Sequence, residues 1–174
     1  MMKKGLLIVN TGNSKGKTTA AFGQALRSAG QGLKVCIIQF IKGHDQTGEA
    51  KAVRAHLAEN IELHITGSGF TWQQDQQRVQ EAADQGWQLA RAKISSDAYD
   101  MIVLDEFTYL LSYQLIDENQ ALDFIKNRPP RLHIVITGRN AGPGLIEAAD
   151  LVTEMREIKH HYRQGVKAQK GIEF

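Results

Sequence analysis

The sequence predicts an α/β fold: a mainly parallel six-stranded sheet with helices on both faces, three layers in all. Three observations predict it. Short apolar runs alternate with amphipathic stretches along the whole 174-residue chain. Most of these runs are β-branched and nearly continuous in hydrophobicity, as expected of strands covered on both faces. Between the first run and the first amphipathic stretch lies a glycine-rich turn, the strand–turn–helix order of a phosphate-binding unit.

Taken in order, the strands are expected at Leu6–Asn10, Lys34–Phe40, Ile61–Thr66, Met101–Asp105, His133–Thr137 and Leu151–Glu154. The helices between them are expected at Thr18–Ala29, Glu49–Ala58, Asp75–Ser95, Asp117–Asn127 and Gly144–Ala149. Gly30 and Gly32 end the first helix, and Asn127-Arg128-Pro129-Pro130 ends the fourth. No repeat or low-complexity linker interrupts the alternation. One domain over residues 1–174 is expected, with 156–174 as a C-terminal arm. In such sheets ligands bind at the carboxyl ends of the strands, where the loops of interest should meet.

Composition narrows the function classes. The chain is 42% hydrophobic and 23% charged, as ordinary globular proteins are. A net charge of +2, from 21 basic and 19 acidic residues that are interspersed, argues against nucleic acid and suits a small anionic ligand. Cys36 is the only cysteine, so no intrachain disulfide and no thiolate cluster can form. Within Val35-Cys36-Ile37-Ile38 it reads as a small buried hydrophobe. Met1–Gly5 leads directly into a strand without a cleavable apolar region, and no stretch approaches 18 apolar residues, so a cytoplasmic protein away from membranes is expected.

The strongest motif is Thr11-Gly12-Asn13-Ser14-Lys15-Gly16-Lys17-Thr18-Thr19. Loop N–H groups and the positive end of the following helix point at one anion. Lys17 adds a full charge, and the Thr18 hydroxyl can reach a Mg²⁺ held by the same phosphates. Gly12 and Gly16 enclose only three residues, one fewer than the usual phosphate loop, and Thr11 stands where the earlier glycine would be. A turn of this composition can also merely join a strand to a helix; the Gly-Lys-Thr-Thr ending and the flanks favour phosphate.

The second motif is Met101-Ile102-Val103-Leu104-Asp105-Glu106, four apolar residues ending in two acids. A carboxylate at such a strand end holds Mg²⁺ beside a phosphate loop, although in isolation the pattern also describes a strand ending in solvated acids. Spacing does not say which acid is the ligand.

Gly67-Ser68-Gly69-Phe70-Thr71-Trp72 combines turning backbone with two aromatics that point the same way if the segment is extended. It reads as core packing or as an aromatic lid over a flat, apolar ligand. Arg139, in Thr137-Gly138-Arg139-Asn140, stands at the same sheet edge, either reaching a phosphate or solvated. Arg27 lies late in the first helix and reaches the loop only if that helix is short. Lys42 and His44 border the site without an evident role. The six histidines make no metal set, and adjacent His160 and His161 should point apart. The polar, basic stretch from Arg156 to Phe174 reads as a frayed tail by default, while its glycines and apolar residues permit an ordered arm over a nucleotide.

These residues together resemble the ATP:corrinoid adenosyltransferases of the CobA/BtuR (CobO) type, over essentially the whole chain. The resemblance rests on Thr11–Gly23, on Val35–Gly43 with its Gln39-Phe40-Ile41-Lys42-Gly43 ending, and on Gly69-Phe70-Thr71-Trp72. It continues through Val103-Leu104-Asp105-Glu106-Phe107-Thr108-Tyr109, Ile136-Thr137-Gly138-Arg139 and Gly165-Val166-Lys167-Ala168-Gln169-Lys170-Gly171-Ile172. The short phosphate loop is normal in this family.

The resemblance implies a P-loop NTPase-like, RecA-like fold. It implies ATP as cosubstrate, Mg²⁺ or Mn²⁺, and a Co(I) corrinoid that attacks the ribose C5′ while triphosphate leaves. It places Gly12, Asn13, Ser14, Lys15, Gly16, Lys17, Thr18, Thr19, Arg27 and Arg139 on the nucleotide. Thr18 and Glu106 would bind the metal, and Lys17, Phe70 and Trp72 would serve catalysis. The two aromatics would line the corrin pocket and displace the lower axial ligand, easing reduction of Co(II) by a reduced flavin or flavodoxin-like donor. A homodimer is implied. Ser14 replaces a loop glycine of many relatives, which requires negative φ there. Many relatives also carry an N-terminal helix covering the partner's site; Met1–Gly5 cannot form it, so a more open site, a more loosely held corrinoid or an altered dimer contact is expected. Two rivals stay open: a P-loop kinase or ATPase acting at the γ-phosphate, and an ATP-binding module without chemistry.

Overall fold

Apolar runs bounded by turn residues build the sheet. The computed structural model describes residues 4–41, 47–67 and 76–173. Its strands are β1 (Leu7–Thr11), β2 (Val35–Gln39), β3 (Ile61–Ile65), β4 (Met101–Asp105), β5 (His133–Thr137) and β6 (Leu151–Glu154). They form one sheet in the order β3-β2-β4-β5-β1-β6, with every neighbouring pair parallel. β5 therefore stands between the phosphate-loop strand β1 and the acid-bearing strand β4, a RecA-like arrangement of a P-loop fold.

The helices are α1 (Lys17–Gly30), α2 (Gly48–Ala52), α3 (Gln76–Ser95), α4 (Thr108–Ser112), α5 (Glu118–Lys126) and α6 (Pro143–Ala148). The helix expected over Glu49–Ala58 is divided: α2 passes into a π-helical turn at Val53–Leu57, with Val53 buried. α4 was not foreseen, since one and a half turns are too short to show a helical period. Thr47 caps α2 through its side-chain oxygen, which accepts the Ala50 N–H, and Asp117 caps α5 by accepting from Gln120.

Alternation along the strands sends side chains into two cores. Val35, Ile37, Met101, Val103 and Val135 pack with Ala21, Phe22 and Ala25 of α1 and with Val53. Cys36, Ile38, Ile102, Leu104, Ile134 and Ile136 face Ala83, Ala90 and Ile94 of α3, Leu110 of α4 and Leu122 and Ile125 of α5. Phe107, fully buried, lies between Phe40 and Trp87 with ring centroids 5.4 and 5.3 Å away. Burying a side chain of this size is worth about 1.5–3 kcal/mol. It anchors the chain just past the end of β4. Cys36 behaves as the sequence suggests: it is fully buried, and burial pushes its thiol up to about 12, with the charge of Glu62 adding to the effect.

Glu62 is a polar hub that the sequence did not reveal. It accepts hydrogen bonds from Lys93 (2.7 Å) and Tyr99, and pairs with His64 at 2.6 Å. With Cys36 and His64 its donor atoms fall within 4.8 Å of one another, but Lys93 already occupies the shared carboxylate oxygen. Burial opposes ionisation of Glu62, yet these hydrogen bonds, that of Lys93 foremost, more than reverse this and hold its pKa at about 2. A carboxyl with a depressed folded-state pKa stabilises the fold above its unfolded value, near 4.5, and loses that contribution as pH falls toward 2. Urea denaturation of Glu62→Gln should therefore show a smaller loss of stability between pH 4.5 and 2.5 than the parent chain shows. Equal losses would assign the acid sensitivity elsewhere.

Candidate functional site

The site begins where β1 ends. Gly12 and Gly16 have φ of 99° and 106°, which a side chain tolerates poorly. A Cβ on Gly12 would also stand 2.4 Å from the Met155 carbonyl oxygen. Met155 follows β6 and holds the loop, donating its N–H to Thr11 O (2.8 Å) and accepting the Ser14 N–H (3.0 Å). Ser14 is not among the residues of positive φ, which satisfies the condition for a serine in place of glycine. Gly16 caps α1 through its backbone alone, and no acidic residue stands in the first turn. The N–H groups at the start of this 14-residue helix, with the helix dipole behind them, make an anion site.

Lys17 lies in that site, 8% exposed, with its ammonium donating to Ser14 O at 2.6 Å. Burial lowers its pKa; Glu106 opposes this, Arg139 adds to the lowering, and Asp105 opposes it. A phosphate arriving beside Lys17 would favour the charged ammonium.

The two acids after β4 take different roles. Asp105 is fully buried and accepts three side-chain hydrogen bonds: from Thr18 Oγ1 (2.8 Å), Thr137 Oγ1 (2.7 Å) and Gln39 Nε2 (2.7 Å). Glu106 turns left-handed at φ 65°, donates its N–H to Thr137 Oγ1 (2.8 Å), and lines the cavity. The Thr18 hydroxyl spends its proton on Asp105, so its oxygen lone pairs remain for a cation. Thr18 and Glu106 are hard oxygen donors beside a phosphate site, a set that fits Mg²⁺ or Mn²⁺ completed by water and phosphate oxygens.

These groups meet in a cavity of about 660 Å³. Asn13 through Thr19, Glu106 and Arg139 all line it. Gly12 shapes the loop without lining the cavity. Arg27 is not brought to the other site residues: α1 continues unbroken to Gly30, so Arg27 lies ten residues beyond Lys17, roughly 15 Å along the axis, exposed and outside the cavity of its own chain. Phe70, Trp72, Lys42 and His44 lie outside the described residues.

The sequence missed much of the cavity wall. Glu49, Tyr109 and several residues of the C-terminal arm line it, among them Glu157, His160, Tyr162 and Arg163. The arm is no frayed tail through Glu173. It forms a 3₁₀ turn at His161–Gln164 and returns to the phosphate loop, where Lys15 Nζ donates to Glu173 Oε1 (2.6 Å) and Ile172 O (3.1 Å). His160 and His161 do not point apart. Their rings stack 4.7 Å from each other because the chain changes from extended at His160 to helical at His161. Gln39 and Thr137 were also unforeseen as partners of Asp105; their only signal is a polar residue closing a buried apolar strand.

A phosphate-type loop, a hydroxyl and carboxylate suited to a cation, and an arm folded over them line one cavity. The family model for ATP:corrinoid adenosyltransferase BtuR/CobO/CobP matches residues 3–174. The chain belongs to the ATP:corrinoid adenosyltransferase family. It is 44% identical over 174 residues to a corrinoid adenosyltransferase of a Sinorhizobium species, covering 99% of this chain and 81% of that protein. It is 43% identical to that of Pseudomonas aeruginosa and 39% to that of Escherichia coli, each over 99% of this chain and 85% and 87% of the relative. Among the described residues no helix is long and apolar enough to cross a membrane.

The left-handed backbone at Glu106 yields a test of its own. That conformation costs a residue with a Cβ about 1 kcal/mol or more. Glu106→Gly should be more stable in urea than Glu106→Ala by about 1 kcal/mol. If the two unfold at the same midpoint, the turn does not hold strain.

Proposed function

We propose that this chain transfers the 5′-deoxyadenosyl group of ATP to the cobalt of a Co(I) corrinoid, cob(I)alamin or a biosynthetic precursor, releasing triphosphate. The observation that carries this reading is the convergence of Lys15, Lys17 and Arg139 with the start of α1 on one cavity. Family membership supplies the corrinoid; the cation array is what a triphosphate leaving group needs.

In the step, a Co–C bond forms to the ribose C5′. The C5′–O bond breaks, and its electron pair leaves with the triphosphate. Co(I) brings no proton, so the reaction calls for no general base. Lys17, the loop amides and Arg139 neutralise the charge that develops on the departing oxygens. Lys15, now held by Glu173, becomes available to the same anion when the arm releases it. A Mg²⁺ or Mn²⁺ on Thr18 and Glu106 would add Lewis-acid stabilisation of the phosphate oxygens. Asp105 fixes the Thr18 hydroxyl.

Phe70 and Trp72 are proposed to face the corrin and favour its four-coordinate Co(II) form, which accepts an electron from a reduced flavin or flavodoxin-like protein. We further propose one cytoplasmic domain over residues 1–174, its arm at 156–174, working as a homodimer.

An anaerobic assay with MgATP and chemically generated cob(I)alamin tests the reaction. A light-sensitive adenosylated corrinoid and stoichiometric tripolyphosphate are expected; ADP with unchanged corrinoid would move the chain to the kinases or ATPases. Lys17→Ala should lower turnover by at least about a hundredfold, the scale of losing one transition-state donor. Trp72→Ala should spare pre-reduced Co(I) and impair reaction from Co(II); equal losses in both assays would refute that division.

A further inference from the structure

We propose that Thr137 and Thr108 form a reciprocal clamp that sets the position of Glu106 relative to Arg139. Thr137 ends β5 and Thr108 opens α4, and each holds the backbone of the segment that the other adjoins. Thr137, one residue before Gly138-Arg139, accepts the N–H of Glu106 at 2.8 Å and gives its own proton to Asp105 Oδ1 at 2.7 Å. Thr108, two residues after Glu106, donates to the Arg139 carbonyl at 2.6 Å.

The clamp takes over where the sheet stops. The β4–β5 ladder has its last register pair at Leu104 and Ile136. Beyond it the threonine hydroxyls join the two segments. The fit between the loops is close: a Cβ on Gly138, whose φ is 142°, would stand 2.0 Å from Thr108 Oγ1. Both threonines are buried, at 0% and 1% exposure, and neither lines the cavity that Glu106 and Arg139 share. They are positioning residues. Glu106 and Arg139 act on Lys17 with opposite sign, so their placement also sets the charge balance around the loop.

The two halves of the clamp should fail differently. This inference rests on the assignment of Glu106 to the cation and Arg139 to the nucleotide. Loosening Thr137 releases the left-handed turn that aims Glu106 and takes one donor from Asp105, which holds Thr18; both act at the cation, so only the cation-dependent part of ATP binding weakens. Loosening Thr108 releases Arg139, and so weakens ATP binding whether or not a cation is present.

Calorimetric titration of ATP without corrinoid, once with Mg²⁺ and once with EDTA, separates these effects and involves no turnover. Thr137→Val should leave the metal-free Kd within about twofold and reduce the gain given by Mg²⁺ about fivefold, the size of one lost hydrogen bond. Thr108→Val should weaken both Kd values about fivefold and leave the Mg²⁺ gain unchanged. Thr137→Ser and Thr108→Ser, which keep the hydroxyl, should restore the parent values. The clamp is overturned if both valine variants bind as the parent does, if both weaken the two Kd values alike, or if serine behaves as valine. Glu106→Gln and Arg139→Ala separate the underlying assignment. If Glu106→Gln leaves the Mg²⁺ gain intact, or Arg139→Ala leaves metal-free binding intact, the site reading fails. If both respond and the threonine variants do not, the clamp alone fails. Should Thr137→Val not fold, Thr108→Val decides: unchanged ATP affinity in it ends the proposal.

Discussion

A carboxylate buried without any exposed surface is the constraint on which this site is built. Removing such a charge from water costs several kcal/mol unless its oxygens are met by donors. Asp105 is met by three, from Thr18 at the start of α1, Gln39 at the end of β2 and Thr137 at the end of β5. Parallel strands bring those ends to one edge: Gln39 stands opposite Asp105, and Asn10 opposite Thr137. The hub therefore joins the phosphate-loop helix to two strand ends and fixes the hydroxyl directions of both threonines. Its hold on Gln39 leaves Gln39 Oε1 buried with no partner among the described residues, a cost of about 1–3 kcal/mol that the geometry absorbs.

From that hub the charges of the cavity follow. Glu106 is turned away from the sheet because Phe107 beyond it is anchored in the aromatic core, and its backbone is caught by Thr137. Lys17 is confined by burial among Glu106, Arg139 and Asp105. The arm adds a carboxylate of its own: Glu173 lies against Lys15 and His161, and the hydrogen bonds it accepts from Lys15, foremost, and from the Gln169 N–H hold its pKa below the usual range. An exposed ion pair of this kind contributes little. Glu173 can therefore keep the arm seated over the loop and still yield Lys15 to a polyphosphate, which brings more charge and more acceptor oxygens.

What could be read from the chain follows from what is local in it. Met101–Asp105, His133–Thr137 and Leu151–Glu154 form as expected, residue for residue, because turn signals bound their apolar runs. β1, β2 and β3 differ by one residue at their ends: Thr11, polar yet buried, was left out of β1, while Leu6, Lys34, Phe40 and Thr66 were counted in strands that stop short of them. The phosphate loop and the acid pair were legible because backbone geometry dictates their spacing. The cage around Asp105 was not: its partners lie 66 and 32 residues away for Gln39 and Thr137, and only the strand order makes them neighbours. Arg27 is set apart by a local fact instead, the full length of α1, which carries it away from the cavity of its own chain. The stacked histidines and the docked arm depend on turns that no hydrophobic period encodes.

The same geometry bears on why such a loop would release three phosphates together. A kinase site concentrates positive charge where the γ-phosphate departs. Attack at C5′ instead makes the whole triphosphate the leaving group, so neutralisation has to extend along the chain. Here Lys17 sits deep under the loop, Arg139 stands across from it on the β5 edge, and Lys15 lies outward at the arm, all lining one cavity. Once the arm has released Lys15, donors held at several depths need little rearrangement as charge develops, which is the condition under which electrostatic stabilisation is most effective. On this view the fold contributes little to the nucleophile, whose reactivity belongs to cobalt. Under the proposed reaction its work is to hold the leaving group, with Asp105 fixing Thr18 and the pair Thr137 and Thr108 fixing Glu106 and Arg139.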